Sequence, residues 1–321
     1  MTATPLTVLD AVAAPVDLSI RLGELTLANP LMPASGCFGP EAAPLLGAHA
    51  PGAVVTKTVF AQERAGNRAP RLAETPFGML NSVGIPSPGS HRFRTEVLPR
   101  YRALGAPVVV SIGGLVVDEY FTIAEALADE PVALFEINVS CPNLERGGLA
   151  IGTSPAEVSR VVAGVRARLS APISVKLTPT VSAIADAAVA AEDAGADAIV
   201  VANSFSGLAV DIRTRASTLG NGAGGYTGPA IKPLALKLVH DAARAVSLPV
   251  IGCGGITTAE DVAEFMIAGA TAVQVGTATF TRPATMSDII GELPELCRSL
   301  GVSRVSELTG TIHDLGFREV G

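Results

Sequence analysis

Four functional side chains fall within the six residues Asn138-Val139-Ser140-Cys141-Pro142-Asn143. Period-two alternation along a strand puts Asn138 and Ser140 on the face opposite Val139. The two amides offer fixed donors and acceptors to a planar polar ligand. Cys141 can act as a nucleophile, or take a proton, where its surroundings lower its pKa. The same hexapeptide also suits a buried structural cysteine at a turn, because free cysteine packs as a small hydrophobe. Its neighbours in the fold decide between these uses.

Two lysines bear on that choice. Lys57 closes the apolar run Val54-Val55-Thr56, and Lys176 closes Ile173-Ser174-Val175. A lysine in a buried strand is costly unless an anion or strong acceptors face it. A phosphate, a flavin ring or an anionic substrate meets that need, whereas a lysine snorkelling to solvent needs no ligand. Two such lysines near strand C-termini favour a site. Gly252-Cys253-Gly254-Gly255-Ile256 and Val275-Gly276-Thr277-Ala278 add a pair of glycine-rich turns. Glycine lets backbone N–H groups approach a phosphate closely, and a following helix adds a favourable dipole. Asn203-Ser204 and Asn81, in Gly78-Met79-Leu80-Asn81-Ser82-Val83-Gly84, are further polar groups that serve equally as turn caps. His49, His91, His240 and His313 are scattered without metal spacing, and the first three fall in helix-like segments. No zinc motif, nucleophile elbow or Walker loop is present.

The elements that must position these groups are short apolar runs separated by Ala-rich helical segments. Runs at 31–35, 53–59, 107–112, 133–139, 173–177, 198–202, 249–253 and 272–275 read as strands, each bounded by Gly, Pro or a polar residue. Between them, 154–169 opens with the N-cap pair Ser154-Pro155, 182–194 stops before Gly195, and 229–246 and 258–268 follow. Eight alternations favour a closed parallel (β/α)8 TIM barrel, with a doubly wound sheet as the alternative. In a barrel the chemical groups above gather at one mouth, on strand C-termini and the loops after them. Residues 18–28, alternating around Leu22-Gly23-Glu24, are expected to form an N-terminal β-hairpin capping the barrel bottom. The Pro- and Gly-punctuated stretches 61–88 and 204–229 are expected to be long active-site loops after strands 2 and 6, with another after strand 4. No linker or longer repeat appears, so residues 1–321 read as one domain.

Composition excludes several classes. The 321 residues are 48% hydrophobic but only 4% aromatic, with no Trp, so Ala, Val, Ile and Leu must build the core. That suits parallel strands covered on both faces. The net charge of −7 comes without any basic stripe, which argues against nucleic acid. Cys37, Cys141, Cys253 and Cys297 are far apart, so reduced thiols are expected, with Cys37 and Cys253 as packing residues and Cys297 structural in a helix. No run is long enough to span a bilayer and residues 1–15 lack a signal-peptide pattern, so a soluble, cytoplasmic protein without membrane contact is expected.

These motifs resemble the class 1 dihydroorotate dehydrogenases over residues 18–300, and most closely their class 1B FMN-containing catalytic subunits. The matches are Ala34-Ser35-Gly36-Cys37-Phe38-Gly39, Gly78-Met79-Leu80-Asn81, and the stretches 138–143, 225–233 and 252–256. Glu145-Arg146-Gly147-Gly148 is similar to class 1B and unlike the fumarate-using class 1A. The resemblance implies FMN at the C-terminal mouth of a barrel and oxidation of (S)-dihydroorotate to orotate in de novo pyrimidine biosynthesis. It implies Cys141 as the base removing the C5 proton, with hydride passing from C6 to flavin N5. Lys57, Asn81, Ser82, Val83, Gly84, Ile85, Asn138, Asn143, Asn203 and Ser204 would face the substrate. Ser35, Gly36, Lys57, Thr58, Asn138, Lys176, Val201 and Gly228 would face the flavin, and Gly254, Gly255, Gly276 and Thr277 its phosphate. A homodimeric core is implied too, as is an electron-transfer subunit carrying FAD and a [2Fe-2S] cluster. This chain has neither a cysteine cluster for iron–sulfur ligation nor a nicotinamide fingerprint.

Removing a proton beside a carbonyl needs a base and a stabilised oxyanion, which a thiol, a lysine and several amides can supply. Two departures stand near the expected substrate face: Ser87 where the family usually has Asn, and the Gly-rich stretch 218–225. The alternatives are a related FMN oxidoreductase for another dihydropyrimidine or specialised metabolite, a barrel aldolase or isomerase with Lys57 or Lys176 as Schiff-base lysine, and a flavin-free binding barrel.

Overall fold

The computed structural model describes residues 15–140 and 151–313. Each of the eight apolar runs becomes a strand: β1 (Leu31–Pro33), β2 (Val54–Val55), β3 (Val108–Ile112), β4 (Leu134–Asn138), β5 (Ile173–Lys176), β6 (Ala198–Val201), β7 (Val250–Cys253) and β8 (Ala270–Val275). They form one sheet in the order β1-β8-β7-β6-β5-β4-β3-β2, all pairs parallel. Every strand thus lies beside its predecessor in the chain, and β8 returns to β1. The last seam is drawn together where the Gly52 N–H, just before β2, donates to Leu31 O at 2.8 Å. This is a (β/α)8 barrel. Every residue of β3 to β7 is buried, as strands covered by helices outside and side chains inside must be.

The second strand is shorter than its apolar run. The Thr56 Oγ1 accepts the Ser111 N–H at 3.1 Å, taking the place of a backbone acceptor. Regular pairing resumes only as a bridge between Val59 and Ile112. The intervening residues leave the ladder as a bulge would, and Lys57 sits in that interruption.

The main helices around the barrel are Val117–Leu127, Pro155–Arg166, Ile184–Asp193, Lys232–Ala245, Ala259–Ile267 and Thr285–Ser299. Their inner stripes follow helical spacing, as in Val158, Val161, Val162 and Val165. Ser154 caps its helix by accepting the Glu157 N–H at 3.4 Å, and Thr258 with Asp261 forms a capping box. Each such cap contributes about 1 kcal/mol. The expected hairpin is present: Ile20–Leu22 pairs antiparallel with Leu25–Leu27, buries Ile20, Leu22 and Leu27, and packs against β8. His91 and His240 lie in helices, but His49 lies in a bend, held there by its N–H donating to Ser287 Oγ at 2.9 Å. No helix among the described residues is long and apolar enough to cross a membrane.

The two long stretches are not irregular loops. Leu72–Thr75, Gly78–Asn81, Gly224–Thr227 and Phe205–Gly207 pair as a four-stranded antiparallel sheet. The connections after β2 and β6 therefore clasp each other above the barrel mouth, with Asn81 in register with Gly225.

Candidate active site

The C-terminal ends of the barrel strands and the clasped loops enclose a cavity of about 710 Å3. Its floor carries a continuous polar belt. Ser35 Oγ donates to Thr56 O at 2.9 Å and lies 3.2 Å from Thr58 Oγ1. Thr58 Oγ1 in turn is 2.9 Å from Ser111 Oγ and accepts from Asn138 Nδ2 at 3.1 Å. Asn138 Oδ1 accepts both the Ser140 N–H, at 3.2 Å, and the Ser140 O–H, at 2.7 Å. Asn203 Nδ2 donates to Ser140 Oγ at 2.7 Å, and Asn203 Oδ1 receives the Ser204 N–H at 2.8 Å. Tyr120 O–H fixes the Asn138 carbonyl from behind at 2.9 Å. Groups from five strand ends are thus locked before any ligand arrives, which is what precise recognition of a rigid ring requires.

The roof is attached to this floor by close backbone approach. Asn81 Nδ2 donates to Gly225 O at 3.1 Å. A Cβ on Gly225 would stand 2.0 Å from Ser204 Oγ, so the glycine lets the roof strand lie on that serine. The Gly-rich stretch 218–225 has a packing cause there. Ser87, the other departure, is buried and does not line the cavity; its Oγ accepts the Phe60 and Gly89 N–H groups at 3.0 and 3.3 Å.

At the β7 turn, Gly255 has φ +79°, and a Cβ on it would meet Lys232 N at 2.9 Å and Cα at 3.0 Å. Only glycine leaves this turn unstrained, and its bare backbone borders the cavity beside Gly254, Gly276 and Thr277. Such a turn next to a helix start suits an anionic group.

Lys57 and Lys176 both face the cavity but differ in their surroundings. Burial, then the charge of Arg71, holds the Lys57 ammonium below the usual lysine range. No hydrogen bond or ion pair to its side chain appears among the described residues. Burial also pushes Lys176 down, but the charges that Cys253, Glu136 and Cys37 carry when ionised more than offset it, so its pKa ends above the usual value; near pH 7, with both thiols neutral, Glu136 is the remaining anion among these. Its Nζ donates to Gln274 Oε1 at 2.7 Å and lies 3.9 Å from Cys253 Sγ. Cys37 and Cys253 line the cavity rather than only filling core. Burial pushes Cys37 up to about 12 and raises Cys253 as well, so both are neutral thiols near pH 7 and neither is a proton acceptor.

Of the residues expected at the site, Ser35, Gly36, Lys57, Thr58, Asn81, Val83, Gly84, Ile85 and Asn138 line the cavity. So do Lys176, Asn203, Ser204, Gly228, Gly254, Gly255, Gly276 and Thr277. Ser82 and Val201 do not: both are fully buried, Ser82 receiving Asn67 Nδ2 at 3.0 Å and Val201 in the core. Cys141, Asn143 and the stretch Glu145 to Gly148 lie outside the described residues. Sequence reasoning did not pick out Thr227, Phe77 and Phe280 at the rim, nor Glu136 and Gln274 beneath Lys176. The last two carried a readable signal, a polar residue inside Phe135-Glu136-Ile137 and Val273-Gln274-Val275.

The family model described as "Dihydroorotate dehydrogenase" matches residues 17–297. The chain is similar to the "Dihydroorotate dehydrogenase B (NAD(+)), catalytic subunit" of Geobacillus kaustophilus, with 44% identity over 94% of this chain and 98% of that one. The protein of the same name from Bacillus caldolyticus is also 44% identical over the same shares. That of Carboxydothermus hydrogenoformans is 42% identical over 93% of this chain and 98% of its own.

Proposed function

The chain belongs to the dihydroorotate dehydrogenase family, and from that premise we propose that it oxidises (S)-dihydroorotate to orotate in pyrimidine biosynthesis, as the catalytic subunit of a flavin-dependent, NAD+-linked enzyme. The observation that carries the reading is the convergence of Lys57, Asn138, Asn203 and Ser204 on one cavity at the barrel mouth.

FMN is the flavin we propose, and the residues present fit it. The cavity has the volume for a nucleotide-sized ligand, the Gly255 turn offers bare backbone, and Lys57 lacks a described acceptor. Gly254, Gly255, Gly276 and Thr277 would hold the phosphate. Ser35, Gly36, Thr58, Asn138, Lys176 and Gly228 would hold the rest. A bound flavin supplies the acceptor for the substrate hydride.

The chain's own residues bind, orient and take a proton. Cys141 follows Ser140, whose hydroxyl is clamped between Asn138 and Asn203, and it is the proposed base for the C5 proton. Asn81, Asn138, Asn143, Asn203 and Ser204 match the imide and carboxylate edges of the pyrimidine. Negative charge that develops on the carbonyl as the proton leaves is met by the Lys57 ammonium and these amides, held in place in advance. The relatives are named as catalytic subunits, so electrons leave through a separate subunit, for which we propose FAD and a [2Fe-2S] cluster. A homodimeric core and a cytoplasmic setting complete the proposal.

The test is anaerobic mixing of the flavin-bound protein with L-dihydroorotate. Rapid loss of flavin colour is expected in the wild type, and slowing by orders of magnitude near neutral pH in Cys141→Ser, because serine is the weaker base. A colourless protein that takes up no FMN refutes the reading. So does a flavin that dihydroorotate leaves oxidised while another dihydropyrimidine reduces it.

A further inference from the structure

Beneath Lys176 lies a hydrogen-bonded chain that crosses the barrel. Glu136 is on β4 and Gln274 on β8, four strands apart among eight, so their 2.5 Å contact can only run through the lumen. Both are buried, and Glu136 is 0% exposed. Gln274 Nε2 donates to Glu136 Oε2, and Gln274 Oε1 accepts Lys176 Nζ at 2.7 Å. The other carboxylate oxygen of Glu136 has no partner. A buried carboxylate with only half of its acceptors met is too costly to keep for packing alone.

The polarity of the chain has a single solution. An ionised carboxylate only accepts and an ammonium only donates. Lys176 therefore requires the amide oxygen on its side, and Glu136 requires the NH2 on the other, so both ends hold Gln274 in one orientation. Replacing Glu136 by a neutral group removes the charged anchor at the inner end of the amide, so Gln274, and the Lys176 ammonium it holds, lose one of their two fixed points.

We propose that Glu136 is a positioning residue for the redox reaction: acting through Gln274, it fixes the aim of Lys176 and keeps a positive charge against the flavin ring. The inference rests on the reading above that Lys176 faces the flavin. A fixed cation favours the reduced ring, which is the more negative form, and so raises the flavin's reduction potential. The other titratable neighbours of Lys176 are the thiols Cys253 and Cys37, which are neutral near pH 7 and which the variants below leave in place.

The test is the midpoint potential of the bound flavin, measured by anaerobic titration against a reference dye. It compares wild type, Glu136→Gln, Lys176→Met and the double variant. The sign is diagnostic. Removing a carboxylate that acted on the ring directly would shift the equilibrium toward reduced flavin. Acting through Lys176, Glu136→Gln is expected to shift it at least tenfold the other way, about 30 mV lower for a two-electron couple. Lys176→Met is expected to shift it further in the same direction, and adding Glu136→Gln to that variant is expected to lower it no more. If Lys176→Met leaves the potential unchanged, the reading that Lys176 faces the flavin fails. If Lys176→Met lowers it and Glu136→Gln does not, the relay fails while that reading stands. Should Glu136→Gln hold no flavin, Gln274→Met cuts the same link, and an unshifted potential there overturns the proposal.

Discussion

Asn138→Ala removes the node of the polar belt, and its cost can be worked from the contacts. The variant loses the bond from Nδ2 to Thr58 Oγ1 and the two bonds from Ser140 to Oδ1. Asn138 is only 7% exposed, so bulk water does not replace them. At about 1 kcal/mol per bond the gross loss is about 3 kcal/mol. Some of it is recovered, because Thr58 keeps Ser35 and Ser111, and Ser140 Oγ keeps Asn203. A net loss of about 2 kcal/mol follows, which at about 1.5 °C per kcal/mol for a domain of 321 residues lowers Tm by about 3 °C. The functional loss should be the larger. Ser140 directly precedes Cys141, so releasing it frees the proposed base as well as removing an amide from the ring. Thermal unfolding of the flavin-bound protein measures the first effect, and orotate titration of the flavin spectrum the second, where affinity is expected to fall more than tenfold. Asn203→Ala also reaches Ser140 Oγ, at 2.7 Å, so the double variant should cost less than the two single costs combined. An Asn138→Ala protein with unchanged Tm and unchanged orotate affinity refutes the belt as a functional unit. Strict additivity with Asn203→Ala refutes Ser140 as the shared node.

Four further outcomes are expected. Gly255→Ala forces a left-handed alanine against the Lys232 backbone and should destabilise by about 2–5 kcal/mol. Gly276→Ala meets only ordinary contacts at 3.6 Å and should alter stability by no more than about 0.5 kcal/mol while releasing FMN, so equal flavin retention in this variant contradicts the phosphate assignment. Lys57 has a folded-state pKa below its unfolded one, so at neutral pH its buried charge opposes folding, and stability rises as pH climbs from the folded toward the unfolded value. Lys57→Met should therefore stabilise the flavin-free protein, flatten that alkaline gain in a pH series of unfolding curves, and still weaken orotate at least tenfold, the worth of about one charged hydrogen bond; a destabilised flavin-free variant contradicts the argument. Cys37, pushed up to about 12, and Cys253 should resist iodoacetamide at pH 8 until the protein unfolds, and mass spectrometry showing either labelled at the rate of a free thiol would overturn the burial argument.

The barrel is legible in the chain because strands buried on both faces need unbroken apolar runs, and all eight stand out against Ala-rich helices. The early end of β2 is not legible, since it depends on Thr56 Oγ1 meeting the Ser111 N–H across a strand pair. Nor is the roof. Its strands are three or four residues long, and Asn81 finds its partner Gly225 144 positions away, beyond the reach of local periodicity. Ser87 shows the opposite limit: beside the expected substrate loop in the chain, it points inward to hold two backbone N–H groups. The lysines at strand ends are legible for a physical reason, the cost of burying a charge. The same reason marks Glu136 and Gln274, but which residue each meets depends on closure of the barrel, which places β4 opposite β8.

Floor and roof therefore differ in origin, and their tolerances should differ too. The floor is built from strand ends whose side chains are tied to one another: Ser35, Thr58, Asn138, Ser140 and Asn203 form one bonded path. Moving one of them disturbs several others, because rigid strands leave no slack in a closed barrel. The roof is two connections pairing with each other, and its rim residues Leu72 and Phe77 are 52% and 74% exposed. Substitutions at these two positions lose little packing and leave the belt intact. On the proposed reading, holding the flavin and placing the base fall to the floor. On the same reading, Asn81, Val83 and Ile85, which line the cavity from the roof side, share the substrate contact with the floor amides. Substitutions at roof positions outside the belt should therefore change orotate affinity while leaving flavin retention intact, whereas floor substitutions such as Asn138→Ala should cost both.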